Sequence, residues 1–201
     1  MIYLLRHGAV DTEGRRFIGQ QDLPLNLEGE RQARSWRERL RGITWAGVWS
    51  SDLQRARRTA EVISGGTVTE VPELRELHLG EWEGRLMSEV REKWPDQWQA
   101  RGERMATFRP PGGESFADLQ KRVRSAFTEI AAHAAAGPLL VVAHAGVNRV
   151  LLCRLLKMPL KALFRIRQDY GGLNRIDPTR HPFQVISVNT PPGKDERESV
   201  F

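Results

Sequence analysis

The sequence is poor in cysteine and lacks long apolar runs, and each shortage excludes a class of protein. Cys153 is the single cysteine among 201 residues, so neither an intramolecular disulfide nor a cysteine-cluster metal site can form. No apolar run approaches the roughly 18 residues that a membrane-spanning helix needs. No basic-then-apolar leader precedes the first apolar segment. We therefore expect a cytoplasmic protein that binds no membrane.

The residues that are present suit one globular domain with an anionic ligand. Hydrophobic residues make up 40% of the chain and charged residues 28%, which is ordinary for a globular protein. The net charge of +6 attracts anions without specifying which. No repeat or linker composition divides the chain. We interpret residues 1–188 as a single domain and residues 189–201 as a C-terminal tail, and the sequence leaves monomer and homodimer open.

Two apolar segments end on histidines. Ile2–Leu5 and Leu139–Ala143 do not alternate with polar residues, which predicts strands buried on both faces. The first strand leads directly into Arg6 and His7, and the second leads into His144. A buried strand that ends in charged or titratable side chains indicates an anion site at that end. The alternative interpretation is a strand whose polar end is simply exposed to solvent.

Helix patterns separate the predicted strands. Asn26 is a suitable N-cap for a helix that extends to about Arg41, and Ser51–Gln54 fits a capping box before a second helix. The longest helix is predicted from Glu114 or Ser115 to Gly137, whereas the polar stretch after Trp94 carries no helix pattern. This alternation predicts an α/β fold, a three-layer α/β/α sandwich with a largely parallel central sheet.

Ligands of parallel sheets bind at the carboxyl ends of the strands, where these histidines and arginines are expected to meet. Arg55 falls in the first turn of the second helix, where a cation is unfavourable unless an anion binds there or the side chain points to water. Arg6 and Arg55 together can hold one phosphoryl group and disfavour protonation of His7, which keeps His7 nucleophilic. Two histidines can also indicate a zinc site, but the sequence has no cysteine ligand set, and it places Arg6 and Arg55 at the same strand ends.

Five segments resemble, in order, the motifs of the histidine phosphatase superfamily, which includes cofactor-dependent phosphoglycerate mutases. They are LLRHG (4–8), SSDLQRARRTAEVI (50–63), LRELHLGEWEG (74–84), PGGES (111–115) and VVAHAG (141–146). The resemblance extends from residue 2 to about residue 150. It implies a phosphoglycerate mutase-like fold.

The resemblance also implies roles for individual residues. His7 corresponds to the nucleophile that becomes phosphorylated, and Glu76 corresponds to the proton donor, in preference to Glu81 or Glu83. Neither a metal nor another cofactor is implied. The implied phosphate-binding residues are Arg6, Gly19, Gln20, Arg55, His144 and Ala145.

The chain departs from the family pattern after the first motif. Many members have RHGET and then an asparagine that helps to hold the phosphate, whereas this chain has Ala9 and Val10 with no asparagine nearby. Arg16 or Gln20 is our candidate to compensate. The segment RRFIGQQDLPLN and the compact chain resemble the α-ribazole-phosphatase-like and broad-specificity branch, because mutases generally carry a longer insertion before the second histidine.

These observations predict a metal-independent phosphomonoesterase that acts through a phosphohistidine on a small phosphate ester, with α-ribazole phosphate as one candidate. The first alternative is a cofactor-dependent phosphoglycerate mutase, and the second is a non-catalytic module that binds a phosphorylated ligand or nucleic acid. We do not expect nucleic acid as a partner, because the six tryptophans are interpreted mainly as core residues. Trp94 and Trp98 are additional candidates to cap the substrate pocket.

Overall fold

Six strands form one sheet in a computed structural model that describes residues 1–12 and 14–193. The strands are β1 (Ile2–Arg6), β2 (Gly47–Ser50), β3 (Thr69–Glu70), β4 (Leu139–Ala143), β5 (Leu173–Asp177) and β6 (Gln184–Thr190). Their order is β3-β2-β4-β1-β5-β6. The pairs of β1 with β4, β4 with β2, and β2 with β3 are parallel, and β5 is antiparallel to both of its neighbours. The predicted, largely parallel sheet is confirmed.

Helices cover both faces of this sheet. They are α1 (Leu27–Arg39), α2 (Gln54–Ser64), α3 (Met87–Lys93), α4 (Pro95–Glu103), α5 (Phe116–Ala132) and α6 (Ala145–Leu155). Helices α1 and α2 share one apolar cluster with the sheet, and α5 and α6 share the other. The three-layer α/β/α sandwich is therefore confirmed. In the part of the chain that the structure describes, no helix is long and apolar enough to cross a membrane.

Strand β4 shows why the central strands are apolar throughout. Leu139, Val141 and Ala143 belong to the cluster under α5 and α6. Leu140 and Val142 belong to the cluster under α1 and α2. Successive side chains point to opposite faces of a strand, and both faces are covered here. The strand ends are consequently the places where polar side chains can reach solvent.

Two of the three predicted helix starts are as expected. The Asn26 side chain accepts a hydrogen bond from the Gly29 amide at 2.8 Å, which caps α1. Ser115 accepts from the Asp118 amide at 3.2 Å, and the Asp118 carboxylate accepts from the Ser115 amide at 2.9 Å, which completes a capping box.

The prediction of a capping box at Ser51 is wrong. The Ser51 amide donates to the Val142 carbonyl oxygen at 3.0 Å, so Ser51 still belongs to the strand side of the connection. Helix α2 begins at Gln54, and its N-cap residue makes no side-chain cap bond. Instead, the Asp22 carboxylate accepts from the Gln54 amide at 2.7 Å. The cap comes from a residue distant in sequence, which a local pattern cannot predict.

Helix α4 was not predicted, because it has no apolar face. None of its residues is fully buried, so the periodicity that marks an amphipathic helix is missing. The local signals are Pro95 at the first turn and Asp96 beside it, both favourable at a helix start.

The final strand extends beyond its expected end. Residues 189 and 190, placed in the tail by the sequence analysis, belong to β6. The Asn189 side chain accepts from the Asp169 amide at 2.7 Å, which holds this end of β6. Residues 194–201 of the predicted tail lie outside the described residues, so the division into one domain and a tail stays a prediction.

The loop after β1 passes very close to the start of α1. A Cβ atom on Gly8 would lie 2.6 Å from the Gly29 carbonyl oxygen, and one on Gly29 would lie 2.2 Å from the Ala9 carbonyl oxygen. Both distances are far below van der Waals contact. Glycine at these two positions lets α1 approach the residue that follows His7.

Replacing Gly29 by Ala is expected to lower the free energy of unfolding by about 1–3 kcal/mol, because the added methyl group overpacks the contact with Ala9. This loss exceeds the gain in helix propensity of up to about 1 kcal/mol. Gly102→Ala in α4 is the matched control, since its Cβ would meet no atom within 4 Å. Urea unfolding followed by circular dichroism measures both, and equal stability of the two variants would contradict the close approach.

Candidate active site

The predicted site residues converge because three parallel strands end at one edge of the sheet. Arg6 and His7 lie at the end of β1, His144 follows β4, and Arg55 lies in the first turn of the helix after β2. The ring centroids of His7 and His144 are 5.0 Å apart. Arg55 Nε lies 3.2 Å from His7 Nε2. The structure thus brings these four side chains together.

The contacts of His7 determine which ring nitrogen carries the proton. Nδ1 lies 2.7 Å from the Gly8 carbonyl oxygen, which can only accept, so Nδ1 carries the hydrogen. Nε2 accepts from Arg55 Nε and is unprotonated. Burial lowers the pKa of His7 well below its usual value, and the charges of Arg6 and Arg55 lower it further. The sequence indicated the effect of the arginines, whereas burial is the larger cause of the lowered pKa.

Arg55 is 1% exposed, so the alternative that it points to water is wrong. Its Nη1 donates to the Gln21 carbonyl oxygen at 2.6 Å, and its Nη2 donates to the Gly19 carbonyl oxygen at 2.9 Å. Burial lowers the pKa of Arg55, and Glu76 and Asp22 oppose that shift. Arg55 therefore joins the loop at Gly19 to the histidine.

Arg6 lies on the other side of His7. Its Nη1 donates to the Gln168 carbonyl oxygen at 2.8 Å, and its guanidinium carbon lies 3.8 Å from the centroid of the Tyr170 ring. Among the described residues its buried Nε has no hydrogen-bond partner. Burial lowers the pKa of Arg6, while Tyr170 and Glu76 oppose the shift. We refer to Arg6 and Arg55 as the floor arginines.

His144 is completely buried and packs against His7. Neither of its ring nitrogens has a hydrogen-bond partner within the described residues. Burial lowers the pKa of His144 well below its usual value, with further contributions from Arg55, His7 and Arg6. An unpartnered buried polar group costs about 1–3 kcal/mol. An unpartnered polar group at the carboxyl end of a central strand is typical of a functional site.

Two backbone amides fix the carboxylate of Glu76. Oε1 accepts from the Leu77 amide at 2.9 Å, and Oε2 accepts from the Gly146 amide at 3.0 Å, in the first turn of α6. A Cβ on Gly146 would lie 2.3 Å from Oε1, so this approach requires glycine. Each carboxylate oxygen has a second lone pair that stays available to carry or accept a proton.

The two other glutamates of this segment are placed differently. Glu83 Oε1 accepts from the amides of Gln20 and Leu79 at 3.0 and 3.1 Å, which fixes the loop. Glu81 is exposed at the start of a short 3₁₀ turn. Neither residue borders the cavity that contains His7.

This cavity has a volume of about 270 Å³ and is bordered by some of the predicted phosphate-binding residues. Arg6, Gly19 and Arg55 line it, whereas Gln20, His144 and Ala145 do not. The Gln20 side chain donates to the Glu76 carbonyl oxygen at 3.0 Å. Of the two candidates to compensate for the missing asparagine, Arg16 lines the cavity.

Sequence reasoning missed most of the outer wall. Helix α4 and the segments around it supply part of the wall, and the segment before β5 supplies another part. Trp94 and Trp98 pack against the core and do not border the cavity, so the expectation that they cap it is wrong. The missed wall residues include Phe17, Arg101, Met105, Phe108, Phe116, Arg149, Phe164 and Tyr170. Only Arg149 carried a signal, since it lies on the helix that follows His144.

A neutral histidine at a strand end, flanked by two arginines, a second histidine and a fixed carboxylate, is the arrangement of a histidine-dependent phosphoryl-transfer enzyme. In the described ranges 1–12 and 14–193, no group of three or more His, Cys, Asp or Glu residues is placed to hold a metal ion. Residues 2–191 match the family described as "Histidine phosphatase superfamily (branch 1)". The chain belongs to this superfamily.

Relatives with both phosphatase and mutase names support the assignment to the superfamily. "Probable phosphoglycerate mutase GpmB" of Serratia proteamaculans is 36% identical in an alignment of 189 residues that covers 90% of this chain and 86% of that protein. "Adenosylcobalamin/alpha-ribazole phosphatase" of Escherichia coli is 31% identical in an alignment of 187 residues that covers 88% of this chain and 89% of that protein. The crystal structure of the alpha-ribazole phosphatase from Shigella flexneri superposes with a TM-score of 0.86 at 26% identity, and the match covers 94% of this chain and 96% of that one.

The buried histidines predict how stability depends on pH. In the unfolded chain His144 has an ordinary pKa of about 6.5, whereas its native pKa is lowered, so below this pH the unfolded state binds more protons. Stability should therefore fall as the pH decreases from 7 to 5. In His144→Gln this loss is expected to be smaller by about 1–2 kcal/mol. Urea unfolding at both pH values measures it.

His133→Gln is the matched control, because His133 is exposed and stacks on Trp49 with a centroid distance of 5.3 Å. This variant should show the same pH dependence as the wild-type protein. An unchanged pH dependence in His144→Gln would contradict a native state in which His144 is neutral.

Proposed function

We propose that the chain is a metal-independent phosphomonoesterase that hydrolyses small phosphate esters through a phosphohistidine at His7. The observation that carries this proposal is the unprotonated Nε2 of His7 at the floor of the cavity, 3.2 Å from Arg55 Nε. A neutral imidazole is a competent nucleophile, and guanidiniums that are already in position neutralise phosphoryl oxygens with little reorganisation.

In the first step, His7 Nε2 attacks phosphorus and the ester P–O bond breaks. The floor arginines bind the equatorial phosphoryl oxygens, and Arg55 Nε exchanges its bond to His7 for one to the phosphoryl group. His144 does not border the cavity, but its ring lies 5.0 Å from that of His7 and its nitrogens have no protein partner among the described residues, so it is our candidate for a third donor to the group carried by His7. Glu76 gives its proton to the leaving oxygen, so the alcohol leaves neutral.

In the second step, Glu76 acts in the opposite direction. Its carboxylate removes a proton from water, and the resulting hydroxide attacks phosphorus while the bond to Nε2 breaks. His7 returns to its neutral form and Glu76 to its protonated form, and inorganic phosphate leaves. The hydrogen bonds that the Leu77 and Gly146 amides donate to the Glu76 oxygens keep the carboxyl group in one position during both steps.

Hydrolysis is favoured over mutase activity by the compact chain between the acid segment and the second histidine. α-Ribazole phosphate is one candidate substrate, because relatives with 31% and 26% identity carry that substrate in their names. The mutase alternative has its own support in the relative that is 36% identical and is named a phosphoglycerate mutase. Location in the cytoplasm and the oligomeric state stay predictions.

Incubation with a panel of phosphate esters distinguishes these functions. The panel includes α-ribazole phosphate and 3-phosphoglycerate, the latter with and without a bisphosphoglycerate primer. We expect release of inorganic phosphate to exceed formation of 2-phosphoglycerate, and we expect His7→Ala to reduce turnover at least about a thousandfold. Faster isomerisation than hydrolysis would establish the mutase instead. Salt-sensitive binding of nucleic acid without turnover of any ester would establish the binding module.

Replacing Glu76 by Gln tests the proton donor. The kcat/KM for alkyl phosphates, which reports the first step and whose leaving groups need a proton, should fall by about 10²–10⁴-fold, and the kcat/KM for 4-nitrophenyl phosphate should be affected much less. Glu81→Gln is the matched control and should behave like the wild-type enzyme. If Glu81→Gln produces the dependence on the leaving group and Glu76→Gln does not, the proton donor is misassigned.

A further inference from the structure

Besides the floor arginines and Arg16, two further arginines border the cavity, and the phosphoryl chemistry does not use them. Arg101 comes from α4 and Arg149 from α6, and both border the cavity that has His7 at its floor. Their guanidinium carbons lie 5.8 Å and 5.2 Å from the centroid of the same ring, that of Phe164. We refer to Arg101 and Arg149 as the outer arginines.

Among the described residues, the neighbours of the Arg101 charge are aromatic rings. Its guanidinium carbon lies 5.8 Å from the ring centroid of Phe17 and 5.6 Å from that of Trp98, in addition to Phe164. No carboxylate among residues 1–12 and 14–193 forms an ion pair with it. Burial lowers the pKa of Arg101, but a guanidinium stays charged at neutral pH.

Other arginines near this wall do have carboxylate partners. Arg109 donates to both oxygens of Asp118 at 2.6 and 2.7 Å. Arg122 donates to both oxygens of Glu114 at 2.9 and 2.7 Å. The contrast indicates that Arg101 is not an ordinary surface cation, because it borders the cavity and, within the described residues, forms no ion pair with a carboxylate.

The charges around the cavity leave room for a second anion. Two glutamates border it, and Glu114 is already neutralised by Arg122. Among the described lining residues, Glu76 is then the remaining carboxylate beside the floor arginines, the outer arginines and Arg16. A phosphoryl dianion on His7 satisfies the floor arginines. Among residues 1–12 and 14–193, no carboxylate forms an ion pair with either outer arginine. Arg149 donates from Nε to the Ile166 carbonyl oxygen at 2.9 Å, and Glu76 and Asp169 act on its charge from a greater distance.

We infer that the outer arginines bind a second anionic group, a carboxylate or a phosphate, on the leaving group of the substrate. The inference rests on the proposed function and names its substrate class: phosphate monoesters that carry another anion. The cavity volume of about 270 Å³ favours a compact leaving group. The Phe164 ring, which lies near both guanidiniums, can hold their planes in position for the anion.

Matched pairs of esters test this inference. The first pair is 4-carboxyphenyl phosphate and 4-carbamoylphenyl phosphate, which have the same shape and differ in one charge. The second pair is propane-1,3-diyl bisphosphate and 3-hydroxypropyl phosphate, which shows whether a phosphate serves as well as a carboxylate. The wild-type enzyme should prefer the anionic member of at least one pair by about tenfold or more in kcat/KM.

Replacing Arg101 should remove most of this preference. In Arg101→Gln the ratio of kcat/KM for the anionic and neutral esters is expected to fall to about threefold or less, chiefly through KM of the anionic ester. Arg101→Lys keeps the charge and should retain an intermediate ratio. Arg104→Gln is the matched control, because Arg104 is exposed at the end of the same helix and does not border the cavity.

Two results would overturn the inference and leave the proposed function intact. One is hydrolysis of the anionic and neutral esters at equal rates by the wild-type enzyme. The other is an equal decrease in kcat/KM for the anionic and the neutral ester in Arg101→Gln, which would mean that Arg101 only supports the fold of the cavity wall. Failure of the wild-type enzyme to hydrolyse any ester would instead reject the proposed function, and the inference would fall with it.

Discussion

The hydrogen bond from Arg55 to His7 Nε2 joins the elements that form the site. Through it, the first turn of α2 contacts the end of β1, and the same guanidinium holds the carbonyl oxygens of Gly19 and Gln21. Thr59 extends the connection, since it donates to the Arg55 carbonyl oxygen and accepts from the Gly8 amide. The loop, the helix and the strand therefore hold one another in position, and the bond exists only while Nε2 is unprotonated.

The site illustrates which physical effect sets the state of a buried histidine. Two guanidiniums beside an imidazole disfavour its protonation, yet removal from water contributes more for both His7 and His144. This burial is possible because apolar clusters cover both faces of the sheet. The two apolar clusters therefore affect the reaction directly, because they provide the low-dielectric surroundings in which a neutral histidine is the stable form.

The sequence predicts the elements whose signals are local. The apolar strands β1 and β4, the caps at Asn26 and Ser115, and the convergence of strand ends all follow from short patterns. The cap of α2 does not, because Asp22 reaches it across the fold. Helix α4 has no apolar face, so neither the helix nor Arg101 on it could be predicted. The unfavourable position of Arg55 in a first turn did single out a side chain that the structure places against His7, as violations of local rules often mark candidate functional residues.

The absence of any fully buried residue from α4 has a consequence for divergence among related enzymes. Substitutions on such a helix usually change stability by less than about 0.5 kcal/mol, whereas the floor residues are held by the sheet and by both cores. With the proposed role of Arg101, the leaving-group preference can change through substitutions on α4 without rebuilding the reactive centre. The reactive residues depend on the sheet and the two apolar clusters, whereas the residues of α4 can change at little cost in stability.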